Sequence, residues 1–189
     1  SHDHLDYHVS FASYRDVKKS FFDSLPKTAF ALTNLDDKNG NIMLQNTKAR
    51  KRTYALKTLA DYKAKIIEKS FSGTLISIND TEFWTKLIGN FNAYNLAAII
   101  GVAYELGLEK LEILTIISQL ESVSGRFEHL VSDNGVIAIV DYAHTPDALR
   151  NVLETINNIR TNNEKLITVI GCGGDRDKTK RPKMAHIAS

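Results

Sequence analysis

Runs of strand length alternate with helix-length apolar stripes along almost the whole chain, and that alternation confines it to a mixed α/β fold. Phe11, Tyr14, Lys18, Phe21, Phe22 and Leu25 fall on one side of a helix at 3.6-residue spacing. Thr28–Thr33 reads as a short buried strand, and Asn34–Asn41 after it is turn-like. Thr53–Leu56, Ala64–Lys69, Gly73–Ile78 and Phe83–Ile88 read as short strands with turn residues between them. Asn92–Leu106 is a strongly apolar helix with Gly107 suited to its C-cap. Lys110–Leu120 follows as a second helix, with Leu111, Leu114, Ile117 and Leu120 at helical spacing.

The pattern starts afresh near Gly125. Phe127–Val131 and Val136–Asp141 are strand-like, and Ser132-Asp133-Asn134-Gly135 between them is a hairpin turn. Pro146 opens a helix through Ile159, with Leu149, Val152, Leu153 and Ile156 as its apolar stripe. Leu166–Ile170 is a β-branched strand leading into Gly171-Cys172-Gly173-Gly174, and Pro182 begins a last helical run. Strand, helix, strand and glycine turn in that order predict an α/β unit with a parallel sheet.

Composition narrows the function classes. With 43% apolar and 24% charged residues among 189, the chain has enough apolar material for a packed core and is not a disordered tract. A formal net charge of +2 is too small for a general nucleic-acid binder. Cys172 is the single cysteine, so no internal disulfide forms, and a reducing, cytoplasmic setting is the expectation. The longest apolar run, around Leu96–Ala103, is interrupted by Gly101 and too short to span a bilayer; no membrane partner is expected. Ser1–His8 is polar and histidine-rich, unlike a signal peptide. The opening on Ser1 and the uncapped end at Ser189 suggest a piece of a longer protein.

Five segments carry candidate chemistry. Ser1-His2-Asp3-His4-Leu5-Asp6-Tyr7-His8 offers imidazoles and carboxylates to a divalent ion, or is a solvated polar loop. Lys18 interrupts an apolar stripe; it either snorkels to water or is a partly buried amine of lowered pKa, while Lys19 turns roughly 100° away. Asn92 and Asn95 share one face of an apolar helix, where Asn92 suits a cap and a buried Asn95 amide needs a partner such as adenine. Gly171–Gly174 with the basic residues from Arg176 to Lys183 suits a phosphate or carboxylate, although the G-x-x-x-x-G-K-[ST] spacing is absent. Asp141-Tyr142-Ala143-His144-Thr145-Pro146-Asp147-Ala148 lies where a strand ends and a helix starts, with Thr145 a natural N-cap.

The order of these segments is more specific than any one of them. His4 within Asp-His-Leu-Asp-Tyr-His, Tyr14-x-x-x-Lys18, Phe91-Asn92-x-x-Asn95, Gly125-Arg126-Phe127-Glu128, the Asp141–Ala148 element and Gly-Cys-Gly-Gly-Asp-Arg-Asp-Lys together resemble the Mur ligases. The resemblance implies the later half of a central ATPase domain over 1–124 and the start of a Rossmann-like C-terminal domain over 125–189. It implies ATP-dependent amide formation in peptidoglycan synthesis, through an acyl phosphate on UDP-N-acetylmuramoyl-L-alanyl-D-glutamate. The incoming diamino acid is meso-diaminopimelate or L-lysine, a choice these residues leave open. By the same resemblance His4 lies near Mg²⁺, and Lys18 is a carbamylated lysine that helps hold the ion. Asn95 contacts adenine, Arg126 the ATP phosphates and Asp141 the ribose region. Arg176 meets the carboxylate of the incoming amino acid, and Lys178 lies near the phosphates.

Two other readings remain at this level. A folylpolyglutamate synthase-like ligase shares part of the Asp141–Ala148 element, but Gly-Cys-Gly-Gly-Asp-Arg-Asp-Lys favours the Mur ligases. A non-catalytic metal- or phosphate-binding module needs only the glycine loop and the histidines.

Overall fold

The five strand-like runs before residue 90 pair into one sheet. A computed structural model describes residues 11–161, 163–173 and 177–189, which fall into two units dividing between Glu121 and Ser122. In the first unit the strands are β1 (Phe30–Asn34), β2 (Arg50–Ala55), β3 (Tyr62–Ser70), β4 (Gly73–Ile78) and β5 (Thr81–Thr85), in that spatial order. β1, β2 and β3 run parallel, whereas β3–β4 and β4–β5 are antiparallel. Asn79 and Asp80, at φ 45° and 61°, make the two-residue turn between β4 and β5, a conformation that suits Asn and Asp.

Helices cover both faces of this sheet. α3 (Asn90–Glu105) and α4 (Lys110–Ser118) enclose a core of Ala64, Ile76, Ile78, Ala93, Leu96, Ala97, Ile100, Ile113 and Ile117. A second cluster joins Ala31, Leu44 and Ala49 to Phe22 and Leu25 of α1 (Phe11–Ser24), beside the short α2 (Gly40–Met43). Gly101 sets the approach of α3, because a Cβ there would lie 2.8 Å from the Tyr62 ring and 3.1 Å from Leu32. α3 ends in a Schellman motif: Leu108 N–H donates to Ala103 O, Gly107 N–H donates to Tyr104 O, and Gly107 takes φ 85°.

α1 is rotated by about one residue from the expected stripe. Phe21 is 63% exposed and Lys18 is exposed, whereas Phe22 and Leu25 pack inward and the Lys19 side chain is only 12% exposed. Adjacent aromatics at 21 and 22 left the inner face ambiguous. The Lys19 amine is held by both oxygens of Asp23, at 2.6 and 2.8 Å, and its aliphatic stem packs.

The second unit contains the hairpin β6 (Glu128–Val131) and β7 (Ile137–Val140), followed by α5 (Pro146–Asn157) and α6 (Lys180–Ala188). Thr145 caps α5 by accepting a hydrogen bond from Ala148 N–H, with Pro146 in the first turn as expected. Leu149 and Ile156 are buried along the expected stripe. The described sheet here is antiparallel; the parallel pairing lies in the first unit. Leu166–Ile170 does not form the expected strand, and Ile167 and Val169 are 82% and 93% exposed. β-branched composition supplies propensity but no ladder partner, and no described strand pairs with this segment.

Candidate functional site

α3 runs antiparallel to β1 and β2, so its first turns stand at the carboxyl ends of those parallel strands. Tyr94 meets Asp36 just past β1, and Glu105 meets Arg50 and Arg52 at the start of β2. Carboxyl ends of parallel strands are where α/β sheets receive ligands. Asn95 stands in the second turn of α3, next to Tyr94 in sequence.

Asn95 is exposed rather than a buried amide seeking a partner. Its Nδ2 donates to Asn92 Oδ1 at 3.2 Å, and Asn92 Nδ2 donates to Ile88 O at 2.9 Å. Asn92 is therefore inside the helix and not its cap, which is Gly89 at φ 100°. The pair uses the Asn95 amide nitrogen and leaves its carbonyl with acceptor capacity for a ligand N–H.

The end of β1 is more elaborate than the turn expected there. Asp36 Oδ2 accepts from Leu56 N–H at 2.7 Å, Lys57 N–H at 2.8 Å and the Tyr94 hydroxyl at 2.8 Å, and Oδ1 accepts from Thr58 N–H at 2.8 Å. Burial works against this charge, but the hydrogen bonds from Thr58, Lys57, Tyr94 and Leu56 outweigh it and hold the carboxyl far below the usual range. Burial and the Asp36 charge together push the Tyr94 hydroxyl up to about 12. On the other side of the β2–β3 connection, Lys63 Nζ donates to Leu56 O and Thr58 O, both at 2.9 Å. The sequence hides this cluster, since its partners lie 20 to 58 residues from Asp36.

At the opposite end of α3, Glu105 accepts from Arg50 Nη2 and Arg52 Nε at 2.5 Å and from the Tyr62 hydroxyl at 2.8 Å. An open cavity of about 360 Å³ lies along this later half of the helix, lined by Tyr62, Phe83, Ile100, Tyr104, Lys110 and Ile113 among others. None of the expected site residues lines it.

The Lys18 amine lies over the Tyr14 ring, 4.6 Å from its centroid. His4 lies outside the described residues. Among the described residues no three His, Cys, Asp or Glu side chains come together as a metal site. An unmodified lysine amine is not a magnesium ligand, so Lys18 would serve that ion only as its carbamate.

In the second unit Phe127 occupies the left-handed region at φ 47°, unusual for a bulky residue, and is 1% exposed. Asp141 Oδ2 accepts from the Phe127 backbone N–H at 2.8 Å, and Tyr142 N–H donates to Gly125 O at 2.8 Å. Asp141 thus fixes the turn that presents Arg126. The exposed Arg126 guanidinium stacks over the Tyr142 ring at 5.0 Å, and the His144 ring lies 4.9 Å from that same ring. The sequence pointed to Arg126 and Asp141 but not to this stack. Lys178 is exposed, one residue after Asp177, whose Oδ1 accepts from Thr179 N–H and Oγ1. Arg176 lies outside the described residues. No helix among the described residues is long and apolar enough to cross a membrane.

Comparison with known proteins identifies the family. Residues 1–103 match the Mur ligase middle domain, and residues 125–189 match the Mur ligase, glutamate ligase domain. A protein of Parabacteroides distasonis named UDP-N-acetylmuramoyl-L-alanyl-D-glutamate–2,6-diaminopimelate ligase is 56% identical over 186 residues, which is 98% of this chain and 38% of that protein. A solved structure titled as a ligase of the same name is 34% identical, with a TM-score of 0.70 over 100% of this chain and 40% of that one. Folylpolyglutamate synthase from Thermotoga maritima, 16% identical over 80% of this chain and 37% of that one with a TM-score of 0.61, shares the fold alone. The chain spans about two fifths of the length of these ligase relatives. With both domain models matched in order, the chain belongs to the Mur ligase family.

Proposed function

We propose that this chain is part of an ATP-dependent ligase that joins meso-diaminopimelate to UDP-N-acetylmuramoyl-L-alanyl-D-glutamate in peptidoglycan synthesis, in the cytoplasm. The carrying observation is the 56% identity, over nearly all of this chain, to a relative named for that reaction. The γ-phosphoryl group of ATP passes to the free carboxylate of the muramoyl dipeptide, and the diamino acid's amine then displaces phosphate from the acyl phosphate. Such transfer is catalysed mainly by positioning and by charge stabilisation.

On this reading the side-chain carbonyl of Asn95 accepts from the amino group of adenine. Arg126, set over the Tyr142 ring, and Lys178 offset phosphate charge. Asp141 keeps one carboxylate oxygen for Phe127 and offers the other to a ribose hydroxyl. Arg176 makes a bidentate contact to the carboxylate of the incoming amino acid. His4 and Lys18 are the candidate magnesium-side residues, with Lys18 as its carbamate.

Phosphate release by the complete ligase tests this reading. Release should require the muramoyl dipeptide, ATP and the diamino acid together. Release that ignores the muramoyl dipeptide would overturn it.

A further inference from the structure

We propose that Asp36 is a positioning residue for nucleotide binding, locking the β2–β3 connection to the turn of α3 that carries Asn95; this rests on the reading of Asn95 as an adenine contact. Three segments converge on one carboxylate. Its own segment follows β1, the connection supplies three consecutive backbone N–H groups, and α3 supplies the Tyr94 hydroxyl. Lys63 grips the connection's carbonyls from the other side, so Leu56 to Thr58 are fixed through donors and acceptors alike.

The bond from Tyr94 matters most for function. Tyr94 and Asn95 are consecutive, so an axial rotation or slide of α3 that moves one amide must also move the other residue's hydroxyl. A hydroxyl held 2.8 Å from a charged acceptor resists that motion. Among the described residues the Asn95 amide is restrained by its 3.2 Å bond to Asn92. A base-recognising amide needs its position set within a fraction of an ångström, and supporting residues supply that precision. The cluster also stands at the carboxyl ends of β1 and β2, the ligand-receiving side of the sheet.

The test uses the complete ligase with steady-state kinetics for ATP and GTP. Asp36→Asn disturbs four donors at once and risks misfolding, so Tyr94→Phe, which removes one hydroxyl and keeps the ring, is the deciding variant. Losing one hydrogen bond to a charged group should raise the KM for ATP about fivefold or more. The kcat and the KM values for the muramoyl dipeptide and the diamino acid should not move. The preference for ATP over GTP should narrow in Tyr94→Phe and in Asn95→Ala alike. A raised KM for ATP in Asn95→Ala with none in Tyr94→Phe would overturn the role of Asp36 and spare the reading of Asn95. An unchanged KM in both would overturn both. Parallel rises in all three KM values would mark a structural role only and equally overturn the proposal.

Discussion

Arg52 Nε donates to Glu105 Oε1 across 2.5 Å, joining the start of β2 to the last turn of α3 although 53 residues separate them in sequence. Glu105 is an anion at a helix C-terminus, where the helix dipole disfavours it. Two guanidinium groups and the Tyr62 hydroxyl offset that cost, and its side chain is only 7% exposed. The opposing end of α3 is held by Asp36, so the helix is pinned at both ends by carboxylates paired with distant donors.

Glu105→Ala should therefore leave Arg52 and the Tyr62 hydroxyl without their acceptor. Glu105 is buried but Arg50 and Arg52 are 55% and 32% exposed, so its removal should cost about 1.5 kcal/mol, between a surface pair and a buried one. Urea unfolding of the 189-residue chain should show a loss of that size in the first unit. A loss below about 1 kcal/mol, the range of a surface pair, would contradict the packing role.

Acid should destabilise the first unit through these same two carboxylates. Burial opposes the charge on both, yet hydrogen bonds to Asp36, and those to Glu105 from Arg52, Tyr62 and Arg50, hold the folded-state pKa values below the unfolded ones. A depressed pKa gives stability that is fully present above about pH 5 and is lost as pH falls through the carboxylate range toward the folded values. Asp36→Asn should flatten the acid limb of a plot of unfolding midpoint against pH. An unaltered limb would show that the charge on Asp36 contributes nothing there.

The contrast between Lys18 and Lys19 tests the resemblance at its most unusual residue. In the complete ligase, Lys18→Ala should abolish ligation, and added short carboxylates should partly restore it by standing in for the carbamate. Lys19→Ala removes an i,i+4 pair with Asp23 and a packed aliphatic stem, so it should cost about 1 kcal/mol of stability, with ligation retained. Full activity of Lys18→Ala would return that residue to an ordinary surface lysine over Tyr14.

Much of the fold was legible because local chemistry decides it. Thr145-Pro146 marked the start of α5, Gly107 the end of α3, and Ser132–Gly135 the β6–β7 hairpin, each through backbone rules that act within a few residues. The face of α1 was not legible, because Lys18 and Lys19 each suit snorkelling, and Phe21 and Phe22 each suit burial. The strand at Leu166–Ile170 failed because pairing depends on a neighbour that composition does not supply. At the candidate site, residue types at Asn95, Arg126 and Asp141 could be read from motif order. The Asp36 and Glu105 clusters could not, since their donors come from segments tens of residues away.

Arg176 should act on substrate rather than on folding. Arg176→Ala in the complete ligase should raise the KM for the diamino acid at least about tenfold, the worth of one charge-assisted bidentate contact. The thermal midpoint should stay put. An unchanged KM with a large loss of thermal stability would assign this arginine to the fold instead.

The bond being made decides what the complete ligase does. The complete ligase, supplied with ATP, UDP-N-acetylmuramoyl-L-alanyl-D-glutamate and an equal mixture of meso-diaminopimelate and L-lysine, should give a product whose mass corresponds to addition of one diaminopimelate, with one phosphate released per product. A lysine adduct would contradict the assigned amino acid. Phosphate release with no muramoyl adduct would contradict the ligase assignment itself.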